Sequence, residues 1–329
     1  MALEQFSRES LGFFPTPVHT LEQFSARIDG PKISIKRDDL SGLAFGGNKV
    51  RKLEYILVHA LNMGADCIIT AGAMQSNHCR QTAAAAAKLN LECHLVLGGE
   101  APQSTNGNLL LDQLLDCHIH WAGKHRKGED IPELQQQLIA LGKNPYVVPY
   151  GGSNKLGVIA FAQAMNELYE QSQQTMPYTH IVFASSSGAT QAGLMLGKLM
   201  LQLECELIGI AIDKEEINHQ SLAENILMLA NQTAIEFDIA AEFTEDDVHL
   251  DKGYIGAGYA VIGDAEREAI KLLAKTEGIL LDPVYTGRAM AGLIDYARAS
   301  KFTKDDHVLF WHTGGLPALF AYANDMLDV

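Results

Sequence analysis

Short apolar runs of four to six residues alternate with longer stretches of helical periodicity along most of the chain, and no other feature restricts its fold as strongly. The runs ISIKR (33–37), CIIT (67–70), CHLVL (93–97), YVVP (146–149), HIVFAS (180–185), LIGIAI (207–212), GILLDP (278–283) and HVLFW (307–311) read as strands. Helical patterns occupy 49–61, 77–88, 156–171 and 190–203. Strand, helix, strand is the unit of a parallel sheet covered by helices, so the expectation is an α/β fold of mainly parallel, open, twisted sheets flanked by helices. At 329 residues, 47% of them hydrophobic, the chain exceeds the roughly 250–300 residues at which single cores stop growing, and two lobes are expected.

In such sheets ligands gather beyond the carboxyl ends of strands, so the turns into helices carry the functional information. In TAGAMQSNHCRQ (70–81), Ser76 or Asn77 can cap the next helix, whose free backbone N–H groups suit a small anion; ordinary capping explains the same residues. In FASSSGATQAG (183–193), small hydroxyl residues surround Gly188 and run straight into a helix, a nest for a phosphate. No Walker lysine follows, so a phosphate monoester fits better than a nucleotide. In LLDPVYTGRAMAG (280–292), Pro283 stiffens the exit and Tyr285 and Thr286 precede a helix, where a tyrosine serves packing or chemistry. GYIGAGYAVIG (253–263) lacks both a preceding strand and the G-x-G-x-x-G spacing, which leaves no dinucleotide fingerprint.

One cation stands out. In FGGNKVRKLEYI (45–56), Asn48 can cap a helix in which Lys49 shares an arc with Val50, Leu53, Ile56, Leu57, Ala60 and Leu61, while Arg51 lies opposite and Lys52 sits at the edge. A lysine on a buried face loses hydration, and its pKa falls by up to ~3–5 units. Periodicity alone also allows the ammonium to snorkel into solvent.

Charge and cysteine usage narrow the partners. With 25 Lys+Arg against 40 Asp+Glu the formal charge is −15, which repels nucleic acid and anionic membranes. The five cysteines (Cys67, Cys79, Cys93, Cys117, Cys205) form no CxxC pair, so neither a disulfide framework nor a zinc ribbon is expected. The start MALEQFSRES has no signal pattern and no apolar run reaches 18 residues, so a soluble cytoplasmic protein is expected. His118, His120 and His125 lack a carboxylate or cysteine to complete a tetrahedral set, and no metal is expected. EFTEDD (242–247) reads as a solvated loop.

A buried lysine, a phosphate nest and a turn suited to a small carboxylate together describe a pyridoxal 5'-phosphate enzyme acting on an amino acid. The chain resembles the fold-type-II pyridoxal phosphate enzymes, specifically the D-cysteine desulfhydrase and 1-aminocyclopropane-1-carboxylate deaminase family. The matching segments are KRDDLSGLAFGGNKVRKLE (36–54), ADCIITAGAMQSNHCRQTAAAAAKL (65–89), PYVVPYGGS (145–153), TEGILLDPVYTGRAMAGLID (276–295) and HTGGLPALFAY (312–322). The resemblance implies a tryptophan synthase β-like fold with a large cofactor-binding domain (1–50 and 160–329), a small domain (51–159), and a homodimer. It implies Lys49 as the Schiff-base lysine and Asn77 as partner of the cofactor's ring oxygen. Ser76, Asn77 and His78 would hold the substrate carboxylate, and Ser187, Gly188, Ala189 and Thr190 the phosphate. Tyr259 and Tyr285 would flank the substrate, with Ser76, Tyr259, Tyr285 and Lys49 as the catalytic set, and Thr286 would sit by the pyridine nitrogen.

The implied reaction is β-elimination of hydrosulfide from D-cysteine, giving pyruvate, hydrogen sulfide and ammonia. Ring opening of aminocyclopropane carboxylate is the rival, and there the resembling enzymes carry glutamate where this chain has Thr286. Elimination from cysteate or chloroalanine is another, and a non-catalytic sensor a third. After Tyr259 the family usually runs G-V-P-N, whereas this chain has AVIG (260–263), a departure at the substrate mouth.

Overall fold

In the computed structural model, which describes residues 6–173, 176–213 and 220–327, the strands form two sheets. They are β1 (Val18–Thr20), β2 (Lys32–Arg37), β3 (Cys67–Ala73), β4 (Glu92–Gly98), β5 (His118–Trp121), β6 (Pro145–Val147), β7 (His180–Ser185), β8 (Glu206–Ala211), β9 (Leu250–Asp251) and β10 (His307–His312). The larger sheet has the order β1-β2-β10-β7-β8-β9 and is parallel except where β1 meets β2. The smaller, β5-β4-β3-β6, is parallel throughout.

Both sheets are covered on both faces, which is why their strands read as apolar runs rather than as alternating ones. In the larger sheet Leu309, Trp311, Ile181 and Phe183 pack with Phe161, Met165 and Leu194. The alternate residues Val308, Phe310, Ile33, Ile35 and Val182 pack with Leu273, Met290 and Ile294 on the other side. In the smaller sheet Ile68, Leu95 and Leu97 meet Leu53, Ile56, Leu57 and Ala83, while Ile69, Ala71 and Val96 meet Ile131, Leu134 and Leu138.

Helices arise where periodicity places them, at Lys49–Asn62, Asn77–Lys88, Lys155–Ser172 and Ala189–Met200. GILLDP (278–283) is a departure: Gly278 ends the helix Asp264–Glu277 in a left-handed conformation (φ +67), and no strand follows. Side chains take the backbone groups that a ladder would need, with His312 Nε2 at 3.1 Å from the Leu280 carbonyl and the Asp282 N–H donating to Thr286 Oγ1 at 2.9 Å.

The helix Lys49–Asn62 departs further. It packs against both Asn77–Lys88 and Lys155–Ser172, so residues 50–57 have no solvent side, while His59, Asn62 and Leu61, the last expected on the buried arc, are exposed near its end. Arg51, expected on a solvent face, is buried and donates to both oxygens of Asp38 (2.8 and 2.9 Å) and of Glu167 (2.8 and 2.9 Å). Lys36 donates to the same Glu167 at 2.5 Å. Lys52, expected at the helix edge, is 0% exposed.

Candidate active site

The carboxyl ends of β2, β3, β7 and β10 converge on one cleft lined by Lys49, Ser76, Ser187 and Tyr285. Beyond β2 the chain makes two glycine turns before Lys49. A Cβ on Gly46 (φ +62) would lie 2.3 Å from the Asp39 carbonyl oxygen, and one on Gly47 (φ +127) 2.5 Å from Gln81 Nε2. The backbone oxygen excludes a larger residue at Gly46 and the positive φ strains one at Gly47, and the turn aims Lys49 into the cleft. Asn48 does not cap the helix: it lies in the helical region (φ −63, ψ −20) and makes no side-chain cap. Its Oδ1 accepts from Lys49 Nζ at 3.3 Å and its Nδ2 donates to Thr190 Oγ1 at 3.4 Å, so it links the lysine to the serine-rich turn.

Protein packed around the Lys49 amine lowers its pKa by desolvation to about 8. Lys52 is pushed well below its ordinary value, first by burial and then by the charge of Lys49. Its Nζ donates to the carbonyl of Gly151, a residue of the cleft wall, at 3.1 Å. Among the described residues no carboxylate pairs with either amine, so the cleft holds one amine, has a second behind its wall, and lacks a carboxylate among its described lining residues.

Beyond β3, Ser76 is the N-cap, its Oγ accepting from the Cys79 N–H at 3.1 Å, which leaves the hydroxyl proton free to donate. Asn77 Oδ1 accepts from Asn108 Nδ2 at 2.9 Å, and that fixes the amide's orientation. For His78 the hydrogen bonds settle the tautomer. Thr70 Oγ1 donates to the Val148 carbonyl at 2.8 Å, so it accepts from His78 Nε2–H at 2.9 Å. Burial first, then the charges of Lys49 and Lys52, hold the imidazole neutral. Nδ1 is therefore a bare acceptor, buried and without a partner.

Beyond β7, Gly188 turns with φ +96, and a Cβ there would meet Asn225 Nδ2 at 2.9 Å. That same Nδ2 braces the turn by donating to the Ser187 carbonyl at 3.0 Å. Ser153, absent from the sequence-based assignment, donates to Ser187 Oγ at 2.8 Å and accepts from the Ala189 N–H at 3.4 Å. Ser185 Oγ is buried and unpartnered in the wall of the cleft.

At the far end Tyr285, Thr313 and Gly314 line the cleft. Tyr259 stands behind Tyr285, their hydroxyl oxygens 2.7 Å apart, with the Arg126 guanidinium 4.3 Å from the Tyr259 ring centre. Thr286 does not line the cleft. It is fully buried and its hydroxyl donates to Asp282 Oδ1 at 2.8 Å, so at this end the lining threonine is Thr313, to which the motif reading gave no role.

Residues 9–314 match the protein family described as pyridoxal-phosphate dependent enzyme. The chain belongs to that family. Its relatives include the D-cysteine desulfhydrases of Salmonella typhi and of Salmonella enteritidis PT4, each 44% identical over 97% of this chain and 97% of theirs. A solved structure of an ACC deaminase homologue is 35% identical with a TM-score of 0.90, covering 99% of this chain and 97% of that one. Threonine deaminase isoform 2 from Solanum lycopersicum, at 16% identity and TM-score 0.67 over 99% of this chain and 87% of its own, shares the fold. These likenesses make the architecture that of the fold-type-II enzymes.

The family's cofactor, pyridoxal phosphate, fits the residues present. Two buried amines without a carboxylate call for an anion, the turn at Ser187–Thr190 offers uncharged donors to a phosphate, and Ser185 Oγ and His78 Nδ1 are buried polar atoms still lacking a partner.

Proposed function

We propose that this chain is a D-cysteine desulfhydrase, converting D-cysteine and water to pyruvate, hydrogen sulfide and ammonia. The observation that carries this reading is the cleft wall: one amine of lowered pKa, a ring of uncharged hydroxyls and amides, the two tyrosines Tyr150 and Tyr285, and no carboxylate among the described lining residues. The kinship with the Salmonella enzymes supports it.

Lys49, Asn77, Ser187, Gly188, Ala189 and Thr190 would hold the cofactor, Ala189 through its backbone, while the buried Lys52 amine braces the Gly151 carbonyl of the same wall. When bound, pyridoxal phosphate supplies an electron-withdrawing ring that spreads the charge developing at the substrate's Cα. Ser76 donates its free hydroxyl proton to the substrate carboxylate. Asn77 and His78 meet that carboxylate through the N–H groups of the helix start, because the His78 ring presents a lone pair rather than a proton. Lys49 Nζ, lowered toward neutrality, removes the proton from Cα. Burial holds Tyr285 and Tyr259 well above the usual phenol range, so both remain protonated, and Tyr285 Oη donates its proton to the departing sulfur.

Thr286 bears on the choice of reaction even though it stands behind the wall. Neither it nor Thr313 puts a carboxylate in the cleft wall, since Asp282 stands behind that wall with its oxygens taken by the Thr286 hydroxyl and the N–H groups of Val284, Tyr285 and Thr286, and a wall without a carboxylate suits expulsion of a good leaving group better than opening of a cyclopropane. The same reading makes the protein a cytoplasmic homodimer with a small amino acid as its substrate. Its domains run 1–50 with 160–329 (large) and 51–159 (small), a division that the grouping of strands into two sheets supports. Among the described residues no helix is long and apolar enough to cross a membrane.

Assaying D-cysteine and aminocyclopropane carboxylate on one preparation tests the proposal. Sulfide and pyruvate from the first are expected, with little 2-oxobutanoate from the second. Robust 2-oxobutanoate formation would overturn both the choice of reaction and its electronic reason.

A further inference from the structure

Away from the cleft, the smaller sheet carries a cluster that the reaction does not use. β4 and β5 pair in parallel with His94 opposite His118, and alternation puts Glu92 and His94 of β4 on the same face as His118 and His120 of β5. Glu92 Oε1 lies 2.8 Å from His94 Nε2 and 3.6 Å from His118 Nε2. The His94 and His118 rings stack with centroids 4.8 Å apart at 19°. One ligand atom from each of Glu92, His94 and His118 falls within 4.8 Å of the other two. The sequence reading expected no metal because the histidines lacked a carboxylate. The fold brings that carboxylate from the neighbouring strand, and it separates out His125, whose Nδ1 is 2.7 Å from Asp130.

We propose that Glu92, His94 and His118 bind one divalent ion of the zinc class. Two imidazoles and a carboxylate suit borderline ions such as zinc, nickel or copper(II), whereas magnesium and calcium prefer oxygen donors. Bonds of ~2.0–2.1 Å to a tetrahedral zinc place neighbouring ligand atoms about 3.3 Å apart. The two separations at Glu92 straddle that value, and His118, with 57% of its side chain exposed, is free to turn and close the third.

The surroundings orient these ligands. Lys143 donates to Oε2 of Glu92, which leaves Oε1 toward the histidines. His94 Nδ1 is 3.1 Å from His120 Nε2, so a swap of tautomers between the two rings frees His94 Nε2 for the ion, with Nδ1–H donating to His120 and no proton gained or lost overall. The fourth position opens to solvent and takes a water. Because β5 is an edge strand, the ion fastens the edge to its neighbour and stabilises the sheet by mass action.

Calorimetric titration and thermal melting of the holoenzyme with zinc chloride test this, with magnesium chloride alongside. Expected are one zinc per chain, a rise in melting temperature with zinc, and no response to magnesium. Outer partners of metal ligands alone are worth about 10- to 100-fold in affinity, so His118→Ala, at an exposed site, should weaken zinc binding at least that much and abolish the melting shift. It should leave turnover of D-cysteine unchanged, and His125→Ala should bind zinc like the parent. Absence of zinc binding by the parent, equal binding by His118→Ala, or an equal response to magnesium would overturn the proposal.

Discussion

The hydroxyl oxygens of Tyr259 and Tyr285 lie 2.7 Å apart, and only Tyr285 faces the cleft. In the proposed reaction Tyr285 is the phenol that would meet the substrate, and Tyr259 holds it in place. Tyr285→Phe should lower kcat for D-cysteine by about 10²–10⁴-fold, the usual worth of a positioned acid, and Tyr259→Phe by much less. Chloride leaves without a proton, so the Tyr285→Phe defect should shrink on β-chloro-D-alanine. Equal defects on the two substrates would remove the tyrosine from leaving-group protonation.

Lys49 titrates at about 8 because it is desolvated, not because a partner acts on it. Below that pH the amine is protonated and unreactive; above it the amine is free. The rate at which apoenzyme takes up pyridoxal phosphate should rise through about pH 8 and level off, where a solvent-exposed lysine would keep climbing toward ~10.4. Lys49→Ala should abolish turnover and borohydride trapping of the cofactor. Trapping that survives in that variant would shift the role to Lys52.

Thr190 Oγ1 accepts from Asn48 Nδ2, which leaves its proton for the phosphate. Thr190→Val should weaken cofactor binding by one bond to a charged group, about 1.5–3 kcal/mol, with KM for D-cysteine unmoved once cofactor is saturating. A raised KM with unaltered cofactor affinity would place substrate, not phosphate, at this turn.

Acid should loosen the junction of Asp38, Arg51, Glu167 and Lys36. Burial raises the Glu167 carboxyl, but the bond and charge of Arg51 and the charge of Lys36 prevail and bring it to about 2 from 4.5. A carboxyl depressed in the folded state contributes stability that is full above the unfolded value and is lost as pH falls through the folded one. Glu167→Gln should therefore be destabilised near neutrality by about 3–5 kcal/mol, and the gap in urea midpoint from the parent should narrow as pH falls from 4.5 toward 2. A gap that stays constant over that window would show that the charge of Glu167 does not matter.

Much of this was legible in the sequence because it rests on local physics. The α/β alternation, a cap at Ser76 or Asn77 that the fold assigns to Ser76, the glycine turn into a helix at Gly188 and the inward turn of Lys49 follow from periodicity and from short-range backbone chemistry. Family resemblance, not composition, supplied the reaction. Tertiary structure decided the rest. Arg51 and Lys52 read as polar because periodicity sorts residues by one buried face, and the helix Lys49–Asn62 is enclosed on more than one side. Thr286 stands behind the wall because Asp282, four residues before it, captures its hydroxyl, and Thr313 lines the cleft instead. Tyr259 meets Tyr285, and Glu92 meets His118, only after the chain has folded back across 26 residues in each case. Contacts between residues so far apart depend on how elements pack in three dimensions, and no local pattern in the sequence encodes that packing.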